Sequence, residues 1–359
     1  MKILLSGGGT LGPVAPLLAI YEIYKKHNPQ AEFIWVGTKN GPEKGLVESY
    51  KIPFFAITSG KLRQYFSWDN FLDIFKISFG FWQSLFLLKR EKPDMLITAG
   101  GFVSVPLHFA AFVLKIPTWV HQQDLAVGLA NKLMSCTATK ITTALAENKQ
   151  YFLSKQIEWI GNPARNLTVT DKNNSRKKFN IPEGSPVILA MGGGTGSIKI
   201  NKLIVETLSI WPKNFHIIHL TGKERSVELS EAATNDFPNY HAFQFLKEDI
   251  KDAYASADVV IARAGFSTIT ELAALSKAAI LIPIADTHQE VNAKFLSDRQ
   301  AAIVLDERKI NDLDLAETVV GIINSVEKKK HLEEKLHTVL PAASAQKVIE
   351  IIEEIVMQR

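Results

Sequence analysis

Short apolar runs of strand length alternate along this chain with longer stretches of helical periodicity, and most runs end in glycine or a small polar residue. In the first half such runs occupy residues 2–6, 32–36, 53–57, 95–99 and 117–120; in the second they occupy 187–191, 215–221, 259–262 and 279–282. Apolar on both faces, they predict buried parallel strands rather than the alternating strands of a half-exposed sheet. Helices are expected over 14–26, over 68–88, from about 126, from 199, after Gly265 and after Asp286. Ser267 or Thr268 can cap the helix after Gly265, and Asp286 the next one. Strand, glycine turn and helix open both halves, so the pattern predicts an α/β protein of two Rossmann-like domains. The polar run 171–178 and the segment 181–186, with two prolines and a glycine, read as linker and turn.

At 359 residues the chain has material for two cores, and 46% hydrophobic with 22% charged residues is a globular balance. Cys136 is the single cysteine, which excludes a disulfide framework or a cysteine-based zinc site and is consistent with a reducing compartment. The first strand is apolar for only Ile3, Leu4 and Leu5 before glycines follow, too little for a signal peptide. The net charge of +4 is unevenly spread: residues 1–165 hold 18 Lys+Arg against 11 Asp+Glu, and the remainder 23 against 26. A basic first half favours an anionic partner or surface there. No basic helix and no interleaved stacking aromatics point to nucleic acid as that partner.

Residues 68–88 hold Phe71, Leu72, Ile74, Phe75, Phe79, Trp82, Phe86 and further apolar side chains, interrupted by Asp69, Asp73 and Lys76. The run is too broken to span a bilayer. One reading is a crossover helix packed on the sheet. The other is a helix lying on an anionic membrane face, because its apolar residues cover more circumference than one buried stripe needs and Lys61, Arg63, Lys89, Arg90 and Lys92 flank it.

Candidate chemistry sits at the strand ends. Gly7-x-Gly9-x-x-Gly12 matches the dinucleotide fingerprint, but the second strand ends Val36-Gly37-Thr38 where the fingerprint wants an acid, so a nicotinamide cofactor is disfavoured. Neither glycine cluster ends in Gly-Lys-Ser/Thr, which disfavours a nucleoside triphosphatase. Gly192-Gly193-Gly194-Thr195-Gly196-Ser197 precedes a helix and lets backbone amides approach a phosphate. His216 and His219 would point to opposite faces of their strand, so they do not form a metal pair. Glu271 has two readings: a capping box with Thr268, or a carboxylate accepting from a ribose diol. His288, Gln289 and Asn292 share one face of a first helical turn, which suits sugar hydroxyls and equally a solvated surface.

Arg263-Ala264-Gly265, Glu271-Leu-Ala and Asp286-x-His288-Gln289-x-x-Asn292 resemble the donor-site signature of the MurG family. These are peripheral membrane glycosyltransferases that add N-acetylglucosamine to the lipid-linked muramyl-pentapeptide precursor of peptidoglycan. Gly8-Gly9-Thr10-Leu11-Gly12-Pro13 resembles the family's first loop, and Gly100-Gly101-Phe102-Val-Ser104-Val-Pro106 its second. His121-Gln122-Gln123-Asp124 with Gly128-x-x-Asn131 is similar to the third, and Gly161-Asn162-Pro163-x-Arg165 to the domain junction.

The resemblance implies a GT-B fold, two Rossmann-like domains facing across a cleft. Residues 1–165 would take the acceptor and meet the membrane, 166–184 link, 185–338 bind the donor, and 339–359 form a helix packing back toward the first domain. The donor would be UDP-N-acetylglucosamine, held by Arg165 and by Gly193, Gly194, Thr195, Gly196 and Ser197 at its phosphates and by Leu246 at uracil. Arg263, Gly265 and Glu271 would serve the phosphate and ribose side, and His288, Gln289 and Asn292 the sugar. Gly12, Gly101, Phe102, Ser104, Gln122, Asp124 and Asn131 would bind the lipid-linked muramyl-pentapeptide. The implied reaction is an inverting displacement with no protein-bound metal or other cofactor and no nucleic-acid partner. The implied place of action is the cytoplasmic face of the bacterial cell membrane, through an anionic surface.

Several positions depart from the family's pattern. Its loop histidine is Pro13 here, its Arg-Ser-Gly is Arg263-Ala264-Gly265, and its His-Glu-Gln-Asn is His121-Gln122-Gln123-Asp124. A pyrrolidine ring exchanges no proton. Asp124 is therefore expected as the base, with Thr10 and His121 as further catalytic candidates; the other reading of Asp124 is an N-cap for the helix near Ala126. Two alternatives remain open in the sequence: a related transferase for another lipid such as a diacylglycerol, and a catalytically silent UDP-sugar-binding protein.

Overall fold

Seven strands form the first sheet: Lys2–Ser6 (β1), Glu32–Gly37 (β2), Phe54–Ala56 (β3), Met95–Thr98 (β4), Thr118–Gln122 (β5), Lys140–Thr143 (β6) and Ile157–Trp159 (β7). Six form the second: Val187–Met191 (β8), His216–Leu220 (β9), Tyr240–Phe243 (β10), Val259–Ala262 (β11), Ala279–Leu281 (β12) and Ile303–Val304 (β13). The computed structural model describes residues 1–60, 68–152, 157–169, 171–223, 225 and 228–358. It divides into two units, Met1–Asn166 with Ala342–Arg359, and Leu167–Pro341.

The first sheet runs β3-β2-β1-β4-β5-β6-β7 and the second β10-β9-β8-β11-β12-β13, every pair parallel. Each order reverses once, between β1 and β4 and between β8 and β11. In doubly wound sheets, ligands are taken beyond the strand C-termini at such switch points.

Apolar strands are buried because helices cover both faces. In the first unit the helices Val14–His27 and Ala345–Met357 share one core, in which Leu17 and Leu18 meet Ile351, Ile352 and Ile355. Across the sheet, Leu87 and Leu88 of the helix Trp68–Glu91 and Leu107 of the helix Ser104–Val113 pack on Leu4, Val36 and Leu96. In the second unit Ile188, Ile261 and Ile280 pack against Ile200, Ile204, Leu315 and Val319.

Several local expectations are corrected by tertiary contacts. The polar run 171–178 is not linker: Lys172–Lys178 is a helix, capped by Asp171 Oδ1, which accepts from the Asn174 amide at 2.8 Å. It is held because Ser175 and Lys178 bind Asp252 and Arg176 binds Asp258. The helix Phe266–Ala274 starts behind Gly265, so Ser267 and Thr268 lie within its first turn and do not cap it. Thr287, not Asp286, caps His288–Ser297; Asp286 takes the left-handed turn before it, at φ +57°. β5 continues through Gln122, two residues beyond expectation, because it pairs with β6 up to Gln122–Thr143. The next helix is Leu129–Ser135 behind Gly128, which removes the N-cap reading of Asp124.

On the helix Trp68–Glu91, Phe75, Phe79, Trp82 and Phe86 are 58–70% exposed. Lys61 and Arg63 lie outside the described residues, as do the side chains of Phe71, Leu72 and Ile74. Among the described residues no helix is long and apolar enough to cross a membrane.

Candidate active site

In the first unit, loops 7–13 and 99–104 leave the ends of β1 and β4, at the switch point. Thr10 is exposed there, and Gly12, Gly101 and Phe102 are half-buried. Ser104 faces inward instead: fully buried, its Oγ lies 3.0 Å from both Ser6 O and Gly100 O, so it ties the two loops together. A direct acceptor contact by Ser104 is thereby replaced by a framework role.

The third motif folds inward in the same way. His121 is fully buried between Thr142 Oγ1, 2.8 Å from Nδ1, and Asn162 Oδ1, 2.8 Å from Nε2. Asn162 Oδ1 can only accept, so Nε2 carries the proton and Nδ1 accepts from the Thr142 hydroxyl, which also takes the Trp119 Nε1 proton. The ring is therefore the neutral Nε2–H tautomer, and burial lowers its pKa to about 4. A ring sealed on both nitrogens cannot reach a substrate, so the catalytic expectation for His121 gives way to a structural one.

Gln122 is 2% exposed. Its Nε2 donates to Asp124 O at 2.7 Å and Ala126 O at 3.3 Å, and its Oε1 accepts from Asn131 Nδ2 at 2.6 Å. A glutamate could not donate to those carbonyls, so the amide has a local reason. Neither Gln122 nor Asn131 is presented outward, contrary to their expected acceptor contact. They fold the loop that places Asp124, whose carbonyl also accepts from Asn148 Nδ2 at 2.7 Å and which is itself half-buried. Arg165 belongs to this unit and hydrogen-bonds the Tyr50 hydroxyl.

In the second unit, residues 192–197 leave β8 and Arg263 to Gly265 leave β11, again at the switch point. Gly193 and Gly196 take φ of +85° and +81°, which other residues resist. Gly194 and Thr195 are exposed at the N-terminus of the helix Ile198–Thr207, and Ser197 Oγ caps it, accepting from the Ile200 amide at 3.2 Å. Arg263 is the strut of this loop. Its Nη2 donates to Ser197 Oγ at 2.7 Å and to Glu307, and its Nη1 to Ile282 O at 3.0 Å. Burial opposes the charge on Glu307, but donors from Arg263 and the Ala285 amide prevail and hold its pKa below the usual range.

Glu271 is buried, and its Oε2 accepts from Tyr254 Oη at 2.9 Å. The capping-box reading fails because Thr268 does not cap. His288 is exposed and Gln289 half-buried, its Oε1 accepting from the Ile284 amide at 3.2 Å; Asn292 is buried and donates to Ala264 O at 3.1 Å. Leu246 is half-buried, after Phe245, over whose ring Lys223 Nζ stands at 4.0 Å. His216 and His219 do face opposite ways: His216 meets His241, while His219 lies between Tyr240 Oη and Asn201 Oδ1. Burial lowers the His219 pKa to about 3.

Sequence reasoning missed Tyr254, Glu307 and Glu43. The contacts that give them their place, to Glu271, Arg263 and Gly9, lie 17, 44 and 34 residues away, and pairs so separated leave no spacing signature.

Comparison with known proteins bears on what these two sites serve. The family model for the glycosyltransferase family 28 N-terminal domain matches residues 3–143, and that for the family 28 C-terminal domain matches 187–353. A UDP-N-acetylglucosamine–N-acetylmuramyl-(pentapeptide) pyrophosphoryl-undecaprenol N-acetylglucosamine transferase of Clostridium perfringens is 36% identical over 334 residues, 92% of this chain and 91% of the relative. A protein of the same description from Listeria monocytogenes is 32% identical over 358 residues, 98% of this chain and 99% of the relative. The crystal structure of Acinetobacter baumannii MurG superposes with a TM-score of 0.73 at 25% identity, covering 98% of this chain and 99% of that one.

Proposed function

The chain belongs to glycosyltransferase family 28, and on that premise we propose its function. It transfers N-acetylglucosamine from UDP-N-acetylglucosamine to the 4-hydroxyl of the lipid-linked muramyl-pentapeptide precursor of peptidoglycan, with inversion at the anomeric carbon. One observation carries the reading: in each unit two of the family's motifs, 7–13 with 99–104 and 192–197 with 263–265, leave the two strands that flank the switch point of a doubly wound sheet, where such sheets hold ligands.

In this reading the second unit holds the donor. Glu271, set by Tyr254, accepts from the ribose hydroxyls, and the segment around Leu246 meets uracil. Amides of residues 193–197 at a helix N-terminus stabilise the departing diphosphate, with Arg263 bracing that loop. Gln289 and His288 meet the sugar, and Asn292 fixes the turn beside them. In the first unit Thr10, Gly12, Gly101 and Phe102 line the acceptor side, and Asp124 takes the proton of the attacking hydroxyl.

General-base catalysis contributes about a hundred- to ten-thousandfold. Pro13 offers no proton acceptor and Gln122 is turned inward, so Asp124 carries that step alone or the enzyme is slow. The same two residues favour a second reading, transfer to a different lipid acceptor. Incubating the purified protein with UDP-N-acetylglucosamine and a panel of acceptor lipids separates the possibilities. Turnover with muramyl-pentapeptide lipid supports the function, turnover only with another lipid supports the second reading, and donor binding without turnover indicates a silent homologue.

The exposed stripe Phe75, Phe79, Trp82 and Phe86 is proposed to rest on an anionic membrane surface at the cytoplasmic face. Its spacing of four, three and four places all four rings on one side of the helix. Phe112 and Val113 are likewise exposed, on the helix packed beside it.

A further inference from the structure

Glu43 is a carboxylate with no exposed surface, and no salt bridge reaches it among the described residues. It opens the helix Glu43–Ser49 behind Pro42, and backbone donors and a hydroxyl surround it instead of a cation. Oε1 accepts from the Thr38 amide at 2.7 Å and from Thr38 Oγ1 at 2.6 Å; Oε2 accepts from the Gly9 amide at 3.2 Å. The carboxylate therefore links the end of β2 to the first glycine loop. Two glycines stay bare to admit it, since a Cβ at Gly8 or Gly41 would collide with its oxygens. A buried anion is tolerated only when its lone pairs are met by donors, and here three donors meet them.

The consequence reaches the acceptor side. The first loop is also held at Gly7 O by Trp35 Nε1 at 3.0 Å. It backs the second loop so closely that a Cβ at Gly101 would lie 2.8 Å from Gly8 O. Fixing Gly9 thus fixes Thr10 and Gly12 on one side and Gly101 on the other. A dinucleotide fold places an acid beyond β2 to hold a ribose. This chain uses an acid from the same region to hold its own loop, and the Gly9 amide is occupied by that carboxylate.

We propose that Glu43 is a positioning residue that sets the two glycine loops of the first unit for the acceptor. This rests on the transferase reading above. In Glu43→Gln one oxygen becomes an NH2 that faces an N–H donor, so at least one link is lost. With the folded protein, kcat/KM for the lipid acceptor is expected to fall roughly tenfold to a hundredfold, the range for losing a hydrogen bond to a charged group. The Kd for UDP-N-acetylglucosamine by calorimetry is expected to stay unchanged, a split that general destabilisation would not produce. Thr38→Val, which removes only the hydroxyl link, is expected to lower acceptor kcat/KM severalfold and serves if Glu43→Gln fails to fold. A folded variant with acceptor kcat/KM within twofold of the parent overturns the proposal. Amide exchange at Gly9, slowed in the parent and fast in Glu43→Gln, reads the clamp without turnover. Unchanged exchange there overturns the clamp, whereas a parent that transfers nothing overturns the function alone.

Discussion

Tyr254 Oη donates to Glu271 Oε2 across 2.9 Å, from the end of one helix to the middle of another, with both side chains buried. A hydroxyl that occupies one carboxylate oxygen orients the group. The orientation is set before any ligand arrives, which lowers the ordering cost of binding.

Glu271→Ala is expected to weaken UDP-N-acetylglucosamine binding by roughly tenfold to a hundredfold, the loss of charge-assisted hydrogen bonds. Tyr254→Phe keeps the carboxylate but frees its orientation, and about tenfold or less is expected. Calorimetric titration checks both, and unaltered affinity in Glu271→Ala would remove this residue from the donor site.

Asp124→Asn preserves shape and removes the proposed proton acceptor. Acceptor kcat should drop by about a hundredfold or more while donor affinity holds. Retained turnover would mean that deprotonation is done elsewhere.

Trp82→Glu combined with Phe86→Glu places two charges in the exposed stripe. Each buried ring is worth roughly 1.5–3 kcal/mol, so partitioning to anionic vesicles should fall more than tenfold, with donor binding unaffected. Vesicle sedimentation measures it, and equal partitioning would argue against that face.

The buried histidines give an acid limit. His108 and His121 have native pKa values lowered by burial to about 4, and His219 to about 3, against a reference of 6.5. Above the reference value they are neutral whether folded or not, so their stabilising effect is fully present. Below it the unfolded chain takes protons that the native state refuses, and stability falls until the native pKa is reached. At roughly 1.4 kcal/mol per unit, each costs about 3 kcal/mol between pH 6.5 and 4. Urea midpoints should therefore decline across that window; a flat profile would contradict the buried neutral rings.

Much of the fold was legible because burial on both faces forces a strand to be apolar throughout, and glycine loops at strand ends mark parallel α/β units. Element positions followed from that pattern for β1, β4, β8 and β11. Cap residues were less legible: Ser267, Thr268 and Asp286 have the chemistry to cap, but Gly265 and Thr287 stand where the chain enters the helix. The run 171–178 shows the same gap, since its helix depends on Asp252 and Asp258 far along the chain.

By itself, then, the amino-acid order determined the α/β class, the paired glycine loops and the identity of the polar groups near each switch point. Those follow from local chemistry, the turn a glycine permits and the strand an apolar run requires. Which of those groups face outward was decided only in three dimensions. His121, Gln122 and Ser104 turned inward to bond the framework around them, while Glu43 and Tyr254, unremarkable in the sequence, came to hold Gly9 and Glu271. The reason is that a hydrogen bond between distant positions depends on where strands and helices bring two side chains, and no spacing along the chain encodes it.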